Sequence, residues 1–243
     1  MKNTITAPIK EVVSKIALLF ALLLVLAGCG SILNAPTYNN MTDAEKNSEI
    51  VGEEKDEIVG NVSQTIFGTV DRDNSKGQNV ETGEIEKSGM EVNVPEGRYE
   101  IFAGHSGNVF IYDEQGDLLI REMFDQFYGV ESALTVDLSE NHTIFFDGGL
   151  DGATVRHAET KLSNSLSPGI WEVGLDIDAG DYVVTTDDRL VGYLQVFDPE
   201  KEVRVYELVG GESLQTESDV QLVEGQKLKI TGAKQVHFEP VKK

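Results

Sequence analysis

Two stretches of this chain set the fold: Val92-Asn-Val-Pro-Glu-Gly97-Arg-Tyr99-Glu-Ile101 and Leu175-Asp-Ile-Asp-Ala-Gly180-Asp-Tyr182-Val-Val184. Gly97 and Gly180, and likewise Tyr99 and Tyr182, stand 83 residues apart. The correspondence continues downstream. Phe110-Ile-Tyr112-Asp113 through Leu118, Ile120, Glu122 and Met123 matches Gln195-Val-Phe197-Asp198 through Val203, Val205, Glu207 and Leu208, at an offset of 85. Val136-Asp-Leu138 matches Val220-Gln-Leu222 at 84, and Val155 matches Val236 at 81. Four matches in one order, drifting only at turns, predict duplication of one folding unit.

Within each unit the apolar residues alternate with period two. Met90, Val92 and Val94 are followed by Tyr99, Ile101 and Ala103, then by Leu118 and Ile120, Leu134, Val136 and Leu138, and Ile144 and Phe146. Turn-forming runs separate them: Pro95-Glu-Gly97, Ser106-Gly107-Asn108, Asp113-Glu-Gln-Gly116, Ser139-Glu-Asn141 and Asp147-Gly-Gly149. Alternation broken at short intervals by such turns predicts antiparallel strands. The expected fold is all-β: two tandem antiparallel β-sandwich, jelly-roll-like repeats over residues 88–158 and 166–243. Units this small bury marginal cores, so the two are expected to pack together or to be unusually regular.

The repeats follow a different kind of sequence. Lys2, Lys10 and Lys15 precede an apolar run over residues 16–27, too short to span a bilayer and suited to an export signal over residues 1–28. The run ends in Leu26-Ala27-Gly28-Cys29, and Cys29 is the sole cysteine. This resembles the lipobox of bacterial lipoproteins. The resemblance implies cleavage between Gly28 and Cys29 and attachment of diacylglycerol to the Cys29 thiol. Two acyl chains suffice for stable anchoring. The mature protein would then sit on the extracytoplasmic face of the cell membrane, with the membrane as its first partner and cell wall or another surface protein as further ones. Its lack of any intramolecular disulfide accords with a Gram-positive surface.

Residues 29–87 are polar, acidic and poor in aromatics, and read as a flexible linker with a possible strand pair over residues 58–70. The formal net charge is −22, and the cationic leader makes the remainder two charges more negative. Such a field repels nucleic acid and anionic lipid headgroups. The run Gly174-Leu-Asp176-Ile177-Asp-Ala179-Gly180-Asp-Tyr182, preceded by Ile170-Trp171-Glu172-Val173, resembles a repeat of surface proteins and lipoproteins of Gram-positive bacteria. The first unit departs from it at Glu91, Asn93 and Pro95-Glu96. The resemblance implies an extracytoplasmic β-rich module and carries no chemistry. The glycine is expected at a turn with positive φ, and the tyrosine at the start of a strand.

No catalytic, cofactor-binding or metal constellation emerges. Gly104-His105-Ser106-Gly107 lacks the spacing and strand-to-helix context of a nucleophile elbow and reads as a hairpin turn. His142, His157 and His237 are not spaced as zinc ligands and read as surface or strand-end residues. Asp71-x-Asp73-x-Ser75-x-Gly77 follows part of a calcium loop, but Lys76 and Thr82 stand where glycine and a bidentate glutamate belong. Gly148-Gly149 and Gly210-Gly211 lack the helix and lysine of a phosphate loop. Trp171, Tyr182 and Phe197 fit the core, whereas Tyr193 and Tyr206 are expected to be exposed. The leading expectation is a non-enzymatic, lipid-anchored surface protein used for binding or spacing. A carbohydrate- or peptidoglycan-binding module and a small carboxylate-dependent hydrolase are the alternatives.

Overall fold

The computed structural model describes residues 48–104, 106–125, 133–187, 190–211 and 215–242. The leader, Gly28 and Cys29 lie outside them. The first module holds β3 (Met90–Val92), β4 (Gly97–Ala103), β5 (Gly107–Tyr112), β6 (Leu118–Phe124), β7 (Leu134–Leu138), β8 (Thr143–Asp147) and β9 (Ala153–His157). The short β10 (Ser165–Leu166) leads into the second, made of β11 (Gly169–Glu172), β12 (Gly180–Thr186), β13 (Gly192–Asp198), β14 (Lys201–Leu208), β15 (Ser218–Leu222), β16 (Lys227–Thr231) and β17 (Val236–Pro240). Among the described residues the regular structure is all-β apart from one short helix and one 3₁₀ turn, both N-terminal to the modules.

The strand orders of the two modules match. The first pairs β3-β8-β5-β6 in one sheet and β7-β4-β9 in another; the second pairs β11-β16-β13-β14 and β15-β12-β17. All strand pairings described within the modules are antiparallel, apart from an isolated parallel bridge between Val173 and Ile177 beside β11, and one parallel contact, Gly169 opposite Thr135, joins β11 to β7. That contact joins a sheet from each module, and one short strand of the preceding segment at either end brings the combined sheet to nine strands. The remaining sheets each have four strands. One core cluster runs through Tyr99, Ile101, Val109, Ile111, Val136, Ile144 and Phe146. A second runs through Tyr182, Val184, Leu194, Val196, Tyr206, Val220 and Phe238. The first also takes in Ile170 and Phe197 from the second module, so the packing crosses the boundary between the modules.

The shared Gly-x-Tyr pattern has a packing cause. The Tyr99 hydroxyl donates to the Pro95 carbonyl and the Tyr182 hydroxyl to the Asp178 carbonyl, each at 2.8 Å and four residues back. The ring therefore folds over the glycine. A Cβ on Gly97 would lie 3.2 Å from the Tyr99 ring, and one on Gly180 3.4 Å from the Tyr182 ring. Neither glycine has positive φ, so the expected left-handed turn is corrected; at Gly97 an added Cβ would press on Asn74 Oδ1 at 2.9 Å and on the Tyr99 ring, whereas at Gly180 it would meet the ring only in ordinary contact.

The linker expectation is also corrected for residues 48–87, which pack on the β body. β1 (Glu49–Ile50) pairs with β14, and β2 (Val80–Glu81) pairs with β9. Between them lie α1 (Glu53–Val59) and a 3₁₀ turn (Gln64–Phe67), where a strand pair was expected. Ile66 and Ile85 are buried in the first core, and Val59, Val62, Phe67 and Val80 pack against it. A low average hydrophobicity conceals a few apolar residues placed where the body has grooves. The backbone supplies the rest, because β1 and β2 occupy the two ends of the nine-stranded sheet. Edges left open there would invite association with other chains, and very short terminal strands blunt them.

The weld between the modules depends on Gly169. Its φ is +144°, and an added Cβ would collide with the Thr135 carbonyl, while the Thr135 amide donates to the Pro168 carbonyl at 3.0 Å. Gly169→Ala is expected to lower stability by at least about 2 kcal/mol, combining backbone strain with a lost inter-module contact. Denaturant unfolding of the two proteins measures the difference, and an unchanged midpoint would contradict this role.

Candidate functional site

The most heavily buried charges gather where the two modules and the N-terminal segment meet. Arg98 on β4 and Asp176, in the turn after β11, are both fully buried. Arg98 donates through Nη1 to Asp137 Oδ1 and through Nη2 to Asp176 Oδ1, each at 2.8 Å. Arg72, from the segment expected to be a tether, donates to the same two carboxylates: Nε to Asp137 Oδ2 at 3.0 Å and Nη1 to Asp176 Oδ1 at 3.1 Å. Glu172 extends the cluster, 3.8 Å from Arg72 and 2.6 Å from Lys227 Nζ. Three cations thus meet three carboxylates. Burial works against the Arg72 charge, but Asp137 and Asp176 outweigh it and raise its pKa. The Arg98 guanidinium lies over the Trp171 ring, 5.0 Å from its centre, and its Nε has no hydrogen-bond partner. Asp176 also closes its own turn, accepting from the Glu172 amide at 2.8 Å. This cluster is structural: apart from Arg98 Nε, its guanidinium and carboxylate groups bond one another.

The second module reproduces the geometry without the charge balance. Arg98 faces Asp137 across β4 and β7; at the matching positions Asp181 faces Gln221 across β12 and β15. Gln221 Nε2 donates to Asp181 Oδ1 at 3.2 Å on an exposed surface.

The residues singled out in the sequence fall in separate places. Ser106 bonds Asp125, and His105 lies outside the described residues. Asp71 and Asp73 accept from the amides of Asp73 and Ser75 at 3.0 and 2.8 Å, which holds a turn. In that turn Asn74 bridges the Arg98 amide and the Ala158 carbonyl, each at 3.0 Å, at the end of the β4–β9 ladder. His142 is buried, contrary to expectation. Its Nδ1 accepts from the Ser139 amide at 3.1 Å, so Nε2 carries the hydrogen and donates to Thr65 Oγ1 at 3.0 Å. Thr65 and Ser63 hydroxyls continue the chain to Asp113 Oδ2, which ties the 3₁₀ turn to the first module. Burial lowers the His142 pKa, while Asp113 opposes the shift. His157 stacks on Tyr99 with ring centres 5.1 Å apart. Tyr182 and Phe197 are buried as expected and Trp171 is half-buried, but Tyr206 is buried in the second core rather than exposed. Tyr193 is half-buried.

One triad was not visible in the sequence. His237 Nδ1 lies 3.0 Å from Ser165 Oγ, and its Nε2 lies 3.1 Å from Asp187 Oδ2. Its surroundings do not suit acyl transfer. The Ser165 amide is taken by Ser163 Oγ and the Phe238 amide by the Asn164 carbonyl, so neither is free to stabilise an oxyanion. The Asp187 side chain is 86% exposed, where its electrostatic hold on an imidazole is weak.

A half-buried aromatic cluster lies on the outer face of the β3-β8-β5-β6 sheet. Val109, Ile111, Ile120, Ile144 and Phe146 point into the core. By alternation, Asn108, Phe110, Tyr112, Thr143, Phe145 and Asp147 occupy the other face. Phe110 stands opposite Phe145 on one side and Arg121 on the other, and Phe145 stands opposite Glu91. The Phe110 and Tyr112 rings are parallel within 6°, with centres 6.1 Å apart; Phe145 lies 6.1 Å from Phe110. Arg121 sits 5.2 Å from the Phe110 ring centre. Polar pairs flank the rings: Asn108 Nδ2 donates to Asp147 Oδ1 at 2.7 Å, and Thr143 Oγ1 to Asn93 Oδ1 at 3.1 Å. The repeat offset aligns Phe110 and Tyr112 with Gln195 and Phe197; which face of the sheet they take becomes clear only with the register.

The chain matches no protein-family model and no curated protein.

Removing one partner of a buried pair leaves the other charge uncompensated. Arg98→Met is therefore expected to destabilise the protein by about 3–5 kcal/mol, whereas Gln221→Ala, at the exposed position matching Asp137, should cost under about 1 kcal/mol. Thermal and denaturant unfolding of both variants check the contrast; equal losses would contradict the assignment of the cluster as the inter-module lock.

Proposed function

We propose that this is a lipid-anchored, extracytoplasmic protein, non-enzymatic, that holds a two-module β body at the cell surface for binding. The reading is supported by the cationic leader and apolar run ending in Leu26-Ala27-Gly28-Cys29 and by the resemblance of residues 170–182 to Gram-positive surface modules. Matching strand orders, together with the sequence offsets, support duplication of one unit. The single observation that carries the binding role is the half-buried row Phe110, Tyr112 and Phe145, set on a sheet face turned away from both cores.

The anchor would hold this body closer to the bilayer than a linker extending to residue 87 would. Only residues 30–47 separate Cys29 from the described body, and they reach at most roughly 65 Å at full extension. Two acyl chains make the attachment stable without a membrane-spanning helix.

Mass measurement and acyl labelling in a bacterial host test the anchor. The expected mature protein begins at Cys29 and carries diacylglycerol, and Cys29→Ser is expected to abolish both labelling and cleavage before residue 29. A mature chain that keeps residues 1–28 and carries no lipid would contradict this reading.

A further inference from the structure

We propose that the 3₁₀ turn of the N-terminal segment is a pH-sensitive clasp, closed on the first module while His142 is neutral and opened when His142 takes up a proton. The clasp is one run of hydrogen bonds that joins this turn to the β7–β8 and β5–β6 turns. The Ser139 amide donates to His142 Nδ1 at 3.1 Å, and His142 Nε2 donates to Thr65 Oγ1 at 3.0 Å. The Thr65 hydroxyl continues the run to Ser63 Oγ at 2.6 Å, and Ser63 Oγ donates to Asp113 Oδ2 at 2.5 Å. Each hydroxyl accepts from one neighbour and donates to the next, so the run has one direction and ends on the carboxylate. His142, Ser63 and Asp113 are 4%, 1% and 6% exposed, which leaves little water to replace a lost partner.

The Ser139 amide decides what a proton does here. A backbone N–H cannot accept, and this one is aimed at the sole lone pair of the neutral ring. A proton added at Nδ1 sets two donors against each other and breaks that bond. The ring must then move, and Thr65 loses the geometry that ties it down. Burial already disfavours the charged ring and lowers its pKa. Among the described residues Asp113 is the charged group that opposes this shift, and Glu140, in the ring's own turn, is exposed. The Ser63 hydroxyl holds Asp113 below the usual carboxylate range, so Asp113 stays ionised while His142 titrates. Closure lowers the histidine pKa. The clasp is therefore fully held above the ordinary value of 6.5 and weakens as the pH falls below it. Glu122, on β6 beside the turn, acts with the opposite sign: burial raises its pKa, so acid favours its buried state.

The opening is confined to the turn. On one side β1 is paired with β14, and on the other Arg72 is bonded to Asp137 and Asp176. Between these fixed points lie Ile66, buried in the first core, and Phe67, whose ring meets Phe197 edge-on with centres 6.5 Å apart. With Phe197 and Val203 they line a cavity of about 470 Å³. Release of the turn withdraws Ile66 and Phe67 from its wall and uncovers Phe197, so acid turns a covered seam into an accessible apolar surface.

Hydrogen–deuterium exchange of the purified full-length protein between about pH 7 and about pH 5, corrected for the intrinsic pH dependence of exchange, tests the proposal. The His142 ring is followed by NMR over the same range. Peptides covering residues 63–68 are expected to lose about tenfold in protection as the ring titrates, while the β12 and β16 amides keep theirs. His142→Gln, which cannot take up the charge, is expected to remove the pH dependence. Thr65→Val, which cuts the run on the turn's side, should give low protection at both ends of the range. Should a variant fail to fold, the wild-type protein decides alone, because its loss of protection must follow the ring's own titration curve. Unchanged protection while His142 titrates, the same acid loss in His142→Gln, or global unfolding before the ring titrates would overturn the proposal.

Discussion

Burying Arg98 beside Asp176 is the constraint on which the assembly of this body depends. A fully buried guanidinium carries a desolvation cost of several kcal/mol. That cost is offset only if carboxylates arrive from the right directions. Asp137 comes from the same module, Asp176 and Glu172 from the other, and Arg72 from the segment before both. Asp137 satisfies one side of the guanidinium from within the module, and Asp176 satisfies the other only when the second module docks. Any other docking of the modules would strand buried charges, so the cluster selects one arrangement even if its net contribution to stability is modest. The matching site in the second module lies in solvent, and there the cross-strand pair is Asp181 with Gln221. A charge cluster at that position would have nothing to join.

The N-terminal segment is the second element of the same design. It delivers Arg72 to the cluster and Asn74 to the end of the β4–β9 ladder, and it supplies the terminal strands β1 and β2 of the nine-stranded sheet. Continuous sheets made from repeated modules tend to expose pairing edges. Here one chain segment covers an edge in each module. The Ser63–Asp113 and His142–Thr65 bonds hold its middle against the first module. On the side of the β3-β8-β5-β6 sheet away from the first core, Phe110, Tyr112 and Phe145 form a half-buried cluster with Arg121 over the Phe110 ring.

Much of the fold was legible because period-two alternation reports directly on which residues a sheet buries. Val136, Leu138, Ile144 and Phe146, all read as strand residues, are fully buried. The misreadings share a cause: they concern groups whose partners lie far away in sequence. Residues 48–87 looked unable to fold because composition is an average, and it does not register that Ile66 and Ile85 meet grooves or that a backbone edge awaits pairing. Tyr206 looked unmatched because its counterpart in the first unit is polar, yet its ring fills the second core. Nothing in the sequence around Arg98 signals a buried charge; its burial follows from the docking of a module that begins some seventy residues later. The aromatic face was hidden for the same reason, since Phe145 joins Phe110 only through the β5–β8 register.

A body welded by a shared sheet, a shared core and a shared charge cluster should unfold as one unit. Differential scanning calorimetry of the mature chain measures this directly. A single transition is predicted, with calorimetric and van't Hoff enthalpies equal. Two separable transitions, or a van't Hoff enthalpy near half the calorimetric value, would show that the modules fold independently and that the Arg98 cluster does not bind them into one structure.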